Sequence, residues 1–194
     1  FHSEFPEEVI EKERGGIINE IQISMDSPDD KAFELYLKEM WGNHPLSKRI
    51  FGSISDIIDI TKEKLKKFHK ERYITSNLII SISGKYNINQ VKETLNNALT
   101  NRETGSFQNE RYIPKRNPSW KLVKDRFTQS HVYAGISNPI LSEPKDFYSL
   151  LVFSTLFGES MSSRLYQNIR EEKGLCYTIF SFRTYYSDLI QWTI

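Results

Sequence analysis

The sequence has 194 residues, enough for one full domain or for parts of two. It is 38% hydrophobic and 26% charged, with 12 Phe, 10 Tyr and 3 Trp, an ordinary globular composition with ample material for a core. A formal net charge of +1 gives no reason to expect nucleic acid or an anionic membrane as partner, and no apolar run approaches the roughly 18 residues of a membrane span.

The charge is unevenly spread. Residues 1–30 hold nine Asp/Glu against two Lys/Arg, a net of −7 that leaves +8 for the remainder. Phe1-His2-Ser3-Glu4-Phe5-Pro6-Glu7-Glu8 has neither a basic n-region nor an apolar h-region, so it does not read as a signal peptide. There is no initiator Met, and Gln191-Trp192-Thr193-Ile194 lies inside an aromatic, β-favouring stretch. Both ends are therefore expected to be cut from something longer.

Pro6 suits a helix start, and Glu7, Glu8, Glu11 and Glu13 favour the positive end of the helix dipole. Ile10, Ile17, Ile21 and Met25 keep helical spacing, predicting a helix from about Pro6 to Asp26. Gly15-Gly16 inside it costs about 1 kcal/mol per Gly relative to Ala, which predicts a packing reason for the pair. Ser27-Pro28-Asp29-Asp30 is a turn and cap for a second helix through Phe33, Leu37 and Met40, broken by Gly42-Asn43-His44-Pro45.

Thr61 caps a basic helix from Lys62 to Tyr73. Asn77 to Gly84 reads as a strand, followed by a helix from about Asn89 to Leu99. Residues 100–118 are polar and rich in breakers, the best linker candidate. Beyond them, strands are expected over Trp120–Arg126 and His131–Ser137, helices over Asp146–Phe157 and Ser163–Glu171, and a half-buried strand over Cys176–Arg183. Strands and helices mixed without βαβ alternation indicate an α+β arrangement in two blocks.

Spacing alone singles out little chemistry. Glu4 and Glu11 stand seven apart and share a helix face if the first helix extends back that far, though acidic groups near a helix start are by default solvated. His2, His44, His69 and His131 are scattered: His69 lies on a Lys-rich face, His44 in a turn, His131 at a strand start. Cys176 is the only cysteine, which excludes an internal disulfide and a thiolate zinc site and reads as a small core filler. Its solitude suits a reducing compartment, so a cytoplasmic location is expected, with periplasm or an organelle left open.

Two longer patterns go further. Glu11-Lys12-Glu13-Arg14-Gly15-Gly16-Ile17-Ile18-Asn19-Glu20-Ile21, with the Phe5-Pro6-Glu7-Glu8 lead-in, Gly42-Asn43-His44-Pro45-Leu46 and Tyr73…Asn77-Leu78, resembles the insulinase/pitrilysin family of zinc peptidases. Ser162-Ser163-Arg164-Leu165-Tyr166-Gln167-Asn168-Ile169-Arg170-Glu171-Glu172-Lys173-Gly174-Leu175-Cys176-Tyr177 resembles that family's second signature. The two stand in family order on either side of the linker.

The resemblance implies two related α/β-sandwich domains with mainly antiparallel sheets, each partly present. Residues 1–103 would be the second half of the N-terminal zinc domain, 104–118 the linker, and 119–194 the first half of the C-terminal peptidase-like domain. The family takes two zinc ligands and its general base from an H-x-x-E-H helix, a segment expected before Phe1. Glu11 matches the third zinc ligand, and Glu4 a carboxylate that supports the site. Arg170 and Tyr177 match a substrate-binding pair, Tyr177 as hydrogen-bond donor to the oxyanion; without the resemblance they read as a surface arginine and a tyrosine packed with Phe180 and Phe182. Ser162-Ser163-Arg164-Leu165 reads as a helix cap and buried anchor without chemistry.

The implied function is zinc-dependent endoproteolysis of peptides or small unfolded proteins, with Zn²⁺ in the complete protein, this chain alone being inactive. The implied partners are the substrate and a homo- or heterodimeric mate, with no nucleic acid or membrane. A non-catalytic binding or structural subunit of the family is the alternative, and an unrelated α+β binding domain the third reading.

Overall fold

The structure, a computed structural model, describes residues 3–100, 105–106, 114, 118–139, 144–186 and 189–194. Most of the expected linker, 104–118, lies outside the described residues. The described residues form six α-helices and three strands: α1 Glu7–Asp26, α2 Pro28–Trp41, α3 Ile54–Ile58, α4 Lys62–Arg72, α5 Ile88–Leu99, β1 Gly135–Pro139, α6 Pro144–Ser154, β2 Phe182–Tyr185 and β3 Leu189–Thr193. None of the described helices is long and apolar enough to cross a membrane.

The helix starts follow their caps. Ser27 accepts from the Asp30 N–H at 3.3 Å to begin α2, and Pro28 fills the first turn. Ser53 and Asp56 form a reciprocal capping box on α3. Thr61 caps α4, and Asn87 caps α5 through the N–H groups of Asn89 and Gln90. The expected packing reason for Gly15-Gly16 is absent: a Cβ at either position meets open space, and nothing in the structure explains the pair.

The chain forms two compact units, 1–21 with 51–111 and 22–50 with 112–194. Chain order would keep residues 1–103 together, whereas Gln22–Ile50 cluster with the later residues. The first unit is helical, with Ile10, Ile21, Ile57 and Ile74 buried. Its expected strand over Asn77–Gly84 is instead irregular chain following a 3-10 turn at Thr75–Asn77, with no strand partner among the described residues, and Ile79 there is 95% exposed. β-favouring residues record a fit to a pleated surface, and without a neighbouring strand the ladder cannot form.

The second unit carries an antiparallel sheet in the order β1-β3-β2, so that β3 is central. Ala134 and Ile194 extend the β1–β3 pairing with two further backbone bonds, 3.1 and 2.8 Å. The predicted strand over Cys176–Arg183 contributes only its last residues, to β2, and Trp120–Arg126 forms no strand. Trp120–Arg126 is instead tied by ion pairs, Lys121 to Glu39, Asp125 to Lys31 at 2.5 Å and Arg126 to Asp26. The helix over 146–157 is present as α6 but widens to π turns at Thr155–Glu159, and a second π segment covers Tyr166–Glu172. The architecture is α+β with an antiparallel sheet, as the sequence predicts.

Alternation along β3 decides what each face of the sheet meets. Gln191 and Thr193 face α2: the Tyr36 hydroxyl lies 3.0 Å from Thr193 Oγ1, and Phe33 packs 6.0 Å from Phe182. Trp192 faces the other way, with ring centroids 5.6 Å from Phe153 and 5.1 Å from Phe157, while Arg183 beside it donates to Glu159 at 2.8 Å. Gln191 is fully buried and fully bonded. Its Oε1 accepts from Trp41 Nε1 and the Tyr186 hydroxyl at 3.3 and 3.2 Å, and its Nε2 donates to Tyr36 and Thr193 at 3.3 and 3.1 Å.

Gly135 lies opposite Thr193, where a Cβ would stand 1.9 Å from the Tyr36 hydroxyl and 2.7 Å from the Trp192 carbonyl. The carbonyl belongs to the ladder and the phenol to the Gln191 network, so neither yields cheaply. Gly135→Ala is expected to lower the unfolding free energy by roughly 1–3 kcal/mol, read from the urea midpoint at constant m.

Burial holds the Tyr36 and Tyr186 phenols above the usual tyrosine range, and for Tyr133 desolvation is joined by the Asp29 carboxylate, which accepts a hydrogen bond from the phenol at 2.7 Å. The native state therefore keeps these protons where the unfolded chain loses them. Stability from these groups is full below about pH 10 and falls as the pH rises above it. Urea titrations at pH 8 and pH 11 should show the midpoint falling, and Tyr36→Phe should flatten that fall.

Candidate functional site

Helix α1 begins at Glu7 because the Pro6 carbonyl accepts from the N–H groups of Val9 and Ile10, both at 3.1 Å. Glu4 and Phe5 lie before the helix, so Glu4 does not share a helix face with Glu11 as the seven-residue spacing allowed. The helical register stops because Phe5 turns through left-handed backbone, φ 51°, a conformation uncommon for a bulky side chain. Its ring meets His69 edge-on at 5.7 Å, and His69 stacks on Tyr73 at 4.4 Å. His69 is thus part of an aromatic stack rather than a freely solvated side chain.

Glu11 occupies the second turn of α1 and is half-exposed, at 58%. Arg14, one turn later and 15% exposed, grips it: Nε donates to both carboxylate oxygens at 3.2 Å and Nη2 to Oε1 at 3.1 Å. The same guanidinium reaches the end of α3, donating from Nη1 to the carbonyls of Ile57 and Ile58, the latter at 2.9 Å, and from Nη2 to Ile60 at 2.8 Å.

A carboxylate has about four acceptor positions, so Glu11 keeps capacity for a cation beyond its bonds to Arg14. Among the described residues, no three His, Cys, Asp or Glu side chains stand close enough to hold a metal. His44 caps a short turn by accepting from the Leu46 N–H at 3.2 Å, and His131 Nδ1 lies 3.2 Å from Asp29. His2 lies outside the described residues.

In the second unit Ser163 Oγ accepts from the Tyr166 N–H at 3.3 Å, the cap expected from the sequence. The π segment that follows closes on Gly174, whose φ of 61° suits glycine. Arg170, near its end, donates from Nε to the Tyr177 carbonyl at 2.9 Å, pairs with Glu171 through Nη1, and lies 4.8 Å over the Tyr166 ring. The structure thus brings Arg170 and Tyr177 together. Tyr177 is 92% exposed and is not packed with Phe180 and Phe182, which pair with each other at 5.9 Å. Cys176 is half-buried rather than a core residue.

Sequence reading passed over Arg14 and Tyr166. The i,i+3 spacing of Glu11 and Arg14 was available as a signal, but the three carbonyls that anchor Arg14 were not. Tyr166 stands in the second signature, and only the fold places its ring under Arg170.

The family model for the peptidase M16 inactive domain matches residues 59–194. A zinc protease of Rickettsia felis is 31% identical over 100% of this chain and 47% of its own length, and the Bacillus subtilis zinc protease YmxG is 28% identical over 97% and 46%. The chain therefore spans about half the length of these relatives. A Pseudomonas fluorescens peptidase M16 inactive domain superposes with a TM-score of 0.74 at 18% identity, covering 98% of this chain and 47% of that one. A Helicobacter pylori protease gives 0.72 at 22%, covering 97% and 47%. The family match over most of the chain and the two signatures agree: this chain belongs to the M16 (insulinase/pitrilysin) family of peptidases.

Proposed function

We propose that the chain is the portion of a zinc-dependent metalloendopeptidase that supplies one metal ligand and a substrate-facing pair, acting on peptides or small unfolded proteins. The observation that carries this reading is Glu11, a family-matched carboxylate held in place by Arg14 yet open to solvent. Glu11 would donate carboxylate oxygen to the metal, and Glu4 would support the site from outside helix α1. A zinc ion, when bound, acidifies its water and polarises the scissile carbonyl. Tyr177, with its phenol in solvent, would donate a hydrogen bond to oxygen as negative charge develops there. Arg170, tied to the Tyr177 carbonyl, would hold the substrate backbone near that donor. The remaining ligands and the general base would come from an H-x-x-E-H segment of the same protein. A dimeric assembly and a cytoplasmic location belong to the same proposal.

A second reading, a non-catalytic binding subunit, draws on two observations: the matched model is that of an inactive domain, and the described residues hold no complete metal group.

The 194-residue chain by itself should show no zinc-dependent cleavage of a quenched fluorogenic peptide, since one carboxylate cannot build a three-ligand catalytic site. In the zinc-loaded protein that carries this chain, Glu11→Gln should strongly reduce the zinc content measured by atomic absorption after dialysis. Zinc stoichiometry equal to that of the wild type would remove Glu11 from the ligand set.

A further inference from the structure

We propose that Glu171 is a specificity-determining residue: it cancels the charge of Arg170, so that the substrate-facing pair takes neutral peptide carbonyls and turns away acidic peptides. This role rests on Arg170 and Tyr177 facing substrate as proposed above. The Arg170 guanidinium is held on three sides. Nε donates to the Tyr177 carbonyl at 2.9 Å, Nη1 donates to Glu171, and the Tyr166 ring lies under one face, 4.8 Å away. Among the described residues Nη2 takes no partner, and the side chain is 35% exposed. The two Nη2 N–H groups are therefore the donors left for an arriving oxygen.

Charge decides which oxygen those donors favour. A lone arginine prefers a carboxylate, because the planar fork matches both oxygens and the opposite charges attract. Here the guanidinium already pairs with one carboxylate. The neighbouring charges restore no excess, since Arg170 and Lys173 offset Glu171 and Glu172. A second carboxylate at Nη2 would share one cation with Glu171 and repel it. Two like charges about 4 Å apart in water weaken binding by roughly fivefold. A peptide carbonyl meets the same donors without that repulsion, so the discrimination comes from the unfavourable partner. The Tyr177 carbonyl and the Tyr166 ring both remain when the Glu171 charge is removed, so Glu171→Gln alters the charge and leaves the donors in place. An exposed pair of this kind adds little to folding stability, and its effect is expected in recognition.

The probes are short peptides with glutamine around the scissile bond, and versions in which one glutamine at a time is replaced by glutamate. In the protein that carries this chain, two quantities are read for each peptide. One is kcat/KM on a quenched fluorogenic form; the other is Kd from the anisotropy of a fluorescein-labelled form in the zinc-free protein. The wild type should favour the neutral peptide over the acidic one at one or more positions. Glu171→Gln should reduce that preference about fivefold, and Arg170→Gln, which leaves the Glu171 charge uncancelled, should enlarge it. A variant that merely loosens the π segment weakens both peptides alike and leaves the ratio unmoved. A ratio that Glu171→Gln leaves unchanged at every position overturns the proposal, as does a wild type that takes the acidic peptides equally well. Arg170→Gln accepting acidic peptides better than the wild type also overturns it. Cleavage of no peptide, with a Kd ratio that still shifts in Glu171→Gln, removes the peptidase reading and keeps the charge-cancelling role. Binding of no peptide overturns both.

Discussion

The second unit depends on one constraint: the central strand β3 carries a glutamine in its middle, and that amide must be satisfied away from water. Leaving a buried amide unpaired costs on the order of 1–3 kcal/mol or more. Gln191 meets the requirement through Trp41, Tyr186, Tyr36 and Thr193, which ties helix α2 to the middle of the sheet. The network prescribes the close approach of Tyr36 to the strands, and that approach leaves room only for glycine at position 135. The opposite face is organised by Trp192 against Phe153 and Phe157, an apolar contact that tolerates adjustment more readily than a bonded amide does.

The first unit repeats the principle with a charge. Arg14 is largely buried, and each of its nitrogens finds an oxygen on Glu11 or at the end of α3. A guanidinium spread over several carbonyls fixes a short helix that has little packing of its own. It also holds one exposed carboxylate in a set direction.

Legibility differed between the halves of the problem. The helices α1, α2, α4 and α5 were readable because caps and apolar spacing are local, and Ser27, Thr61 and Asn87 act within three residues of themselves. The strands were less so. Asn77–Gly84 and Trp120–Arg126 have the right residues and form no strand, while His131–Ser137 yielded β1 only from Gly135 onward. A strand is a property of two chains side by side, and its own residues do not name the partner. The Glu4–Glu11 spacing misled for a related reason: two helical turns separate them only if the helix spans both, and it starts at Glu7.

By itself, the sequence determined the family, because the two signatures are ordered strings of residues that need no coordinates to be read. It also determined which side chains to watch, Glu4, Glu11, Arg170 and Tyr177. Only the tertiary structure decided how they are held. Glu11 is oriented by an arginine bound to carbonyls far along the chain, and Tyr177 stands in solvent on a turn that Arg170 ties down. Backbone carbonyls carry no sequence identity, so contacts made to them are invisible until the chain is folded.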